Sequence, residues 1–273
     1  MLLPFVPLLD DRPRPTTPYE LSWALHPSVI IGTGLLGALY FWGIGPLRRR
    51  QALGPPVEPW RIASFSAALV VLLLSLNGPI HDLSDYYLFS IHMVQHLVLT
   101  LVFPPLVIAG IPGWLLSPLL GRESVRRAAR VLAHPVVAAM AYTATIAAWH
   151  VAGAYDLMMR NHEVHIATHI MFMVTATMMW WPVMSPSPEI PRLSPALGML
   201  YLFLVGIPMQ LIAALITLAD NVLYPWYSVA PRMWGLSPLD DQQLGGLLMW
   251  VPGNLWMFLA IGVLFFQWAR ESE

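Results

Sequence analysis

Cysteine is missing from all 273 residues. Its absence excludes disulfides, thiolate metal sites and cysteine nucleophiles. Lysine is missing too, and all 14 basic residues are arginine. A seven-helix retinal protein needs a lysine Schiff base, so that class is excluded. Charge of either sign is scarce: charged residues make up 11% of the chain, against roughly a quarter in a soluble domain. The net charge of −1, with no basic stripe, leaves no footprint for nucleic acid. What is abundant is apolar. Hydrophobic residues reach 57% and mean hydropathy is +0.63, the composition of a membrane protein.

Seven stretches are long and apolar enough to cross a bilayer, which takes ~20 residues each. They run approximately Pro27–Gly45, Ile62–Asn77, Tyr86–Ala109, Val131–Val151, Val164–Met184, Ala196–Ala219 and Leu244–Trp268. None contains Asp, Glu or Arg. The expected fold is all-α, a polytopic membrane protein built as a seven-transmembrane-helix bundle. Residues 27–270 make that domain and residues 1–26 an N-terminal extracytoplasmic tail. The tail lacks a basic start and is interrupted by Pro4 and Pro7, so it does not read as a signal peptide. Pro208 and Pro252 lack an amide hydrogen and are expected to bend spans six and seven.

Arginines orient the bundle. Arg48, Arg49, Arg50 and Arg61 follow span one, and Arg122, Arg126, Arg127 and Arg130 follow span three. With Arg192 and Arg270 that side holds ten, against Arg12, Arg14, Arg160 and Arg232 on the other. Cytoplasmic loops carry the excess, so the N-terminus is expected outside and the C-terminus inside. The outer connection Asp220–Gln243 holds Tyr224, Trp226, Tyr227 and Trp234, which suit the headgroup region.

Drawn on this topology, eight of the nine histidines fall at the outer end of the spans; His134 alone belongs to the inner face. His92/His96 and His165/His169 are each spaced i, i+4, which puts both imidazoles of a pair on one helix face. Ionisable groups inside a bilayer are costly and usually mark a working site. Imidazole suits copper, zinc, iron and nickel, and Met93, Met158 and Met159 would add soft donors that favour Cu(I). The plainer alternative is a helix–helix hydrogen bond. We assign that role to His134 and His26, and a metal site to His92, His96, His165 and His169. His150 is a further candidate ligand, His81 stands between the two roles, and His162 is compatible with a residue that simply faces water.

Enzymatic machinery is sparse. A zinc protease needs His-Glu-x-x-His, and neither pair carries that glutamate. His162-Glu163-Val164-His165 has the glutamate but closes one residue too soon. No nucleophile elbow or glycine-rich phosphate loop is present, so no catalytic residue is assigned and the chain does not read as an enzyme. On span seven, Gln242, Gly245, Gly246, Met249 and Gly253 share a face, and the glycines suit close helix packing. Asp241 and Gln242, with Met93 and Met249, are candidates to support the metal ligands from behind; Asp241 and Gln242 would serve equally as helix caps.

Four segments together resemble a known family. They are Ser90 through His96; Trp149-His150; Val164 through His169 with Trp180-Trp181-Pro182; and Asp241-Gln242-Gln243 with Met249 through Gly253. The resemblance is to the CtaG-type cytochrome c oxidase assembly proteins of bacteria, from about Trp23 to Trp268. It implies a role in biogenesis of haem–copper oxidases by supplying copper. The family's motif histidines fall on His92, His96, His150, His165 and His169. The family often has glutamate just before the last of these, where this chain has Thr168. The expected function is therefore a copper-binding assembly factor of the bacterial inner membrane, its site facing the periplasm. The metal is expected as Cu(I), and the partner as an oxidase subunit, with periplasmic copper chaperones or a second copy as further partners. Two alternatives are a haem-binding electron-transfer protein and a metal permease. A permease needs a polar path to the cytoplasm, and the inner half-spans offer little beyond His134 and Gln210.

Overall fold

The computed structural model describes residues 19–20 and 23–272; the rest of the expected tail lies outside the described residues. Every regular element described is a helix. In chain order these are α1 (Pro27–Gln51), α2 (Pro59–Ser75), α3 (Gly78–Tyr86), α4 (Phe89–Gly110), α5 (Ser117–Leu120), α6 (Glu123–Leu132), α7 (Pro135–His150), α8 (Ala152–Arg160), α9 (His162–Met184), α10 (Pro195–Thr217) and α11 (Pro238–Glu271). Proline opens α1, α2, α7, α10 and α11, where a missing N–H costs nothing and its fixed φ starts the helix.

Five of these helices are long and apolar enough to cross a membrane alone: α1, α4, α9, α10 and α11. Two bent pairs, α2 with α3 at 49° and α6 with α7 at 60°, are long and apolar enough only when taken together, which gives five to seven candidate spans. The helix covering the expected span Ile62–Asn77 ends at Ser75, and His81 lies on α3, the second helix of that bent pair. Helix α7 starts at Pro135 rather than at Val131, because His134-Pro135 breaks the chain there. Pro208 and Pro252 both lie inside unbroken helices.

Helix α4 is central and packs against α2, α3, α9 and α11. It relaxes into a π-turn over Val98–Val102, just before Pro104. A proline leaves the carbonyl four residues earlier without its amide partner. That carbonyl belongs to Thr100, and the Trp180 indole donates to it at 3.0 Å from α9. Helix α11 approaches α10 and α4 through small residues. A Cβ at Gly246 would meet the backbone N of Thr217 at 2.7 Å, and one at Gly245 would collide with the Phe89 ring. The expectation that these glycines serve close packing holds.

Candidate metal centre

The two helices that carry the paired histidines are each started by a specific acceptor. Asn161 caps α9, its Oδ1 accepting the Val164 amide at 2.9 Å. Helix α4 is capped from across the bundle. Asp241 accepts the amides of Phe89 (2.7 Å) and Ser90 (3.1 Å) and the Ser90 hydroxyl (2.5 Å). A carboxylate at a helix N-terminus is favoured by the amides and by the macrodipole. Asp241 therefore positions the helix that carries His92 and His96 through its backbone, rather than by contact with an imidazole. Gln242 likewise binds the loop behind it: its Oε1 accepts from Leu223 N at 2.6 Å and its Nε2 donates to Asn221 O at 3.1 Å. Helix α11 has its own cap in the Ser237–Asp240 box.

Between these helices the imidazoles converge. His92 Nε2 lies 2.8 Å from His96 Nε2, and His165 Nε2 lies 3.1 Å from His169 Nε2. Across the helices the His92 ring is 5.4 Å from that of His165 and 5.9 Å from that of His169. One nitrogen from each of His92, His165 and His169 falls within 4.8 Å of the others. All four side chains are buried. His92 Nδ1 lies 3.2 Å from the Ser84 carbonyl, which can only accept. The hydrogen therefore sits on Nδ1, and Nε2 turns its lone pair to the cluster.

His150 lies beside this group, its ring 5.9 Å from that of His96. Its Nδ1 donates to Ile146 O at 2.7 Å, and its buried Nε2 has no hydrogen-bond partner among the described residues. The same holds for His96 Nδ1. Both nitrogens are therefore available to bind a ligand. His162, on the first turn of α9, is half-buried, and His134 is exposed at the far end of α7. Thr168 is fully buried and its hydroxyl returns to the Val164 carbonyl at 2.8 Å. Met93, Met158, Met159 and Met249 are buried in one cluster with Phe89, Tyr155, Tyr224, Trp226 and Tyr227.

Two groups outside the sequence reading complete the centre. Asp85 on α3 is fully buried; its Oδ2 lies 3.3 Å from His81 Nε2 and its Oδ1 3.7 Å from His165 Nε2. Gln95 accepts from Ser84 Oγ and donates to the Ser75 carbonyl at 2.6 Å. The i, i+4 spacing of His81 and Asp85 was the available signal, readable only once α3 is taken as a helix.

Of the four aromatics on the connection after α10, Trp234 is exposed while Tyr224, Trp226 and Tyr227 are buried against the protein itself. Tyr224, Trp226 and Tyr227 fold inward as a lid. Trp226 Nε1 donates to Asp85 O at 2.7 Å, Tyr227 Oη to Ser84 O at 2.6 Å and Tyr224 Oη to His150 O at 2.9 Å. Burial pushes the Tyr224 and Tyr155 phenols above their ordinary range, so they stay protonated. Beside the cluster lies a largely apolar cleft of about 1050 Å³ between α1, α2 and α9. His26, His81, Asp85, His162, His165 and His169 line its polar part.

The family described as cytochrome c oxidase caa3 assembly factor matches residues 38–271, and the chain belongs to it. Relatives include uncharacterized proteins of Mycobacterium bovis and Mycobacterium tuberculosis, each 26% identical over 95% of this chain. An uncharacterized protein of Mycobacterium leprae is 24% identical over 88% of it. The matches cover 41%, 41% and 38% of those proteins, so the chain spans about two-fifths of their length. No solved structure matches.

Proposed function

We propose that this protein holds copper in its buried histidine cluster and passes it to a haem–copper terminal oxidase during assembly. Membership of the caa3 assembly-factor family supplies the oxidase as client. The observation that carries the reading is the convergence of His92, His165 and His169, one ring nitrogen of each within 4.8 Å of the others, with His96 Nε2 2.8 Å from His92 Nε2 and His165 Nε2 3.1 Å from His169 Nε2. With metal–nitrogen bonds of about 2.0 Å, neighbouring ligands stand about 2.8–3.3 Å apart. His92, His96, His165 and His169 are the proposed ligands, with His150 at the margin. Copper is cargo here, taken as Cu(I) and released without catalysis. Neutral imidazoles suit exchange better than a closed thiolate cage. The chain sits in the bacterial inner membrane with its N-terminus out, its C-terminus in and the cluster toward the periplasm. The ten arginines on the opposite side support that orientation. An oxidase subunit docks at the apolar outer surface, and periplasmic copper chaperones are suitable donors.

Metal analysis of the purified protein beside a His92→Ala/His96→Ala variant tests the proposal. Outer-shell substitutions cost roughly 10–100-fold in metal affinity, and loss of two ligands is expected to exceed that. Unchanged copper content in the variant would sink the site. A Soret band with stoichiometric iron would replace copper delivery by haem binding.

A further inference from the structure

The histidines of the cluster bring lone pairs but no countercharge, since imidazole binds metal in its neutral form. A cation held below the surface of a bilayer is costly without an anion nearby. Thr168 supplies none. Asp241 is buried too, but its carboxylate is engaged by three donors at the start of α4. Asp85 is differently placed. Its Oδ1 takes the Ser84 hydroxyl at 3.2 Å and stands 3.7 Å from His165 Nε2. An ion bonded to that nitrogen at about 2.0 Å can be no further than about 5.7 Å from the carboxylate. The same carboxylate lines the lateral cleft together with His165 and His169.

We propose that Asp85 is the anionic arm of this centre, stabilising positive charge held at His92, His165 and His169. The proposal rests on the functional reading above, because it concerns the same site. Coulomb attraction scales with the charge of the ion. Removing the carboxylate therefore costs a divalent ion about twice as many decades of affinity as a monovalent one. A residue that merely orients His165 produces no such ratio.

Competition titrations with Ag(I) and Zn(II), wild type against Asp85→Asn in detergent, read the ratio directly. Affinity is expected to fall about 10-fold for Ag(I) and about 100-fold for Zn(II). Equal losses for the two ions, or no loss, would overturn the proposal. Asp85→Glu keeps the charge and is expected to keep the wild-type ratio between the ions. Asp85→Ser removes the charge with less bulk than the amide, and serves if Asp85→Asn does not insert. Wild-type protein that binds neither ion defeats the functional reading itself, so the two failures are distinguishable.

Discussion

Asp241 accepts the Phe89 amide across 152 residues of sequence, and the Ser90 amide and hydroxyl beside it. Replacing it by alanine leaves two buried amides at the head of α4 without an acceptor. Hydrogen bonds to a charged group contribute about 1.5–3 kcal/mol each, non-additively, and an orphaned buried donor costs about as much again. Asp241→Ala is therefore expected to lower stability by about 2–4 kcal/mol, measured as thermal aggregation or denaturant sensitivity in detergent. Asp241→Asn keeps one acceptor and is expected to recover part of the loss. A variant as stable as wild type would mean α4 does not need this cap. At this scale the sequence was legible where spacing speaks for itself: His92/His96 and His165/His169 announce shared helix faces. Asp85 was not legible. Its partner His165 is distant in the chain, and its own helix α3 falls between the apolar runs Ile62–Asn77 and Tyr86–Ala109.

At the scale of elements, the seven apolar runs were readable because hydrocarbon demands continuous apolar helix. Bends were harder, since hydropathy does not report direction. The break at Asn77-Gly78 turns on a glycine at φ +61°, a conformation that other residues adopt only with strain. The inward fold of Tyr224, Trp226 and Tyr227 is hard to read for a related reason. Tyrosine and tryptophan suit both a headgroup layer and a buried hydrogen-bonding cluster, and only the acceptors at Ser84, Asp85 and His150 decide between them. Close helix packing at the α11 glycines is readable from sequence, its partner α10 is not, and the contact gives a prediction. A methyl group at Gly246 meets the Thr217 amide at 2.7 Å and the Ala213 carbonyl at 3.1 Å, backbone atoms that cannot turn aside. Gly246→Ala is expected to cost about 1–3 kcal/mol, the usual range for overpacking. Gly262→Ala, with open space around the added carbon, serves as the neutral control in the same denaturant titration. Equal stability of the two variants would refute close approach at Gly246.

At the scale of the whole molecule, direction across the membrane decides whether the cluster can take the proposed role in periplasmic delivery. The chain contains no cysteine, so any introduced thiol is unique and can be located by labelling. Trp234 is 71% exposed on the connection that closes over the cluster. Arg127 has a side chain 78% exposed on α6, among the arginines at the opposite end. Under the positive-inside rule, Trp234→Cys should react with a membrane-impermeant maleimide in intact cells, and Arg127→Cys only after lysis. The contrast is expected to be nearly all-or-none, because the bilayer rather than local exposure separates the two sites. The reverse pattern would turn the bundle over and place the imidazoles at the cytoplasmic face. The ligand geometry would survive that result, whereas delivery to a periplasmic acceptor would not, so labelling tests the cellular role independently of metal binding.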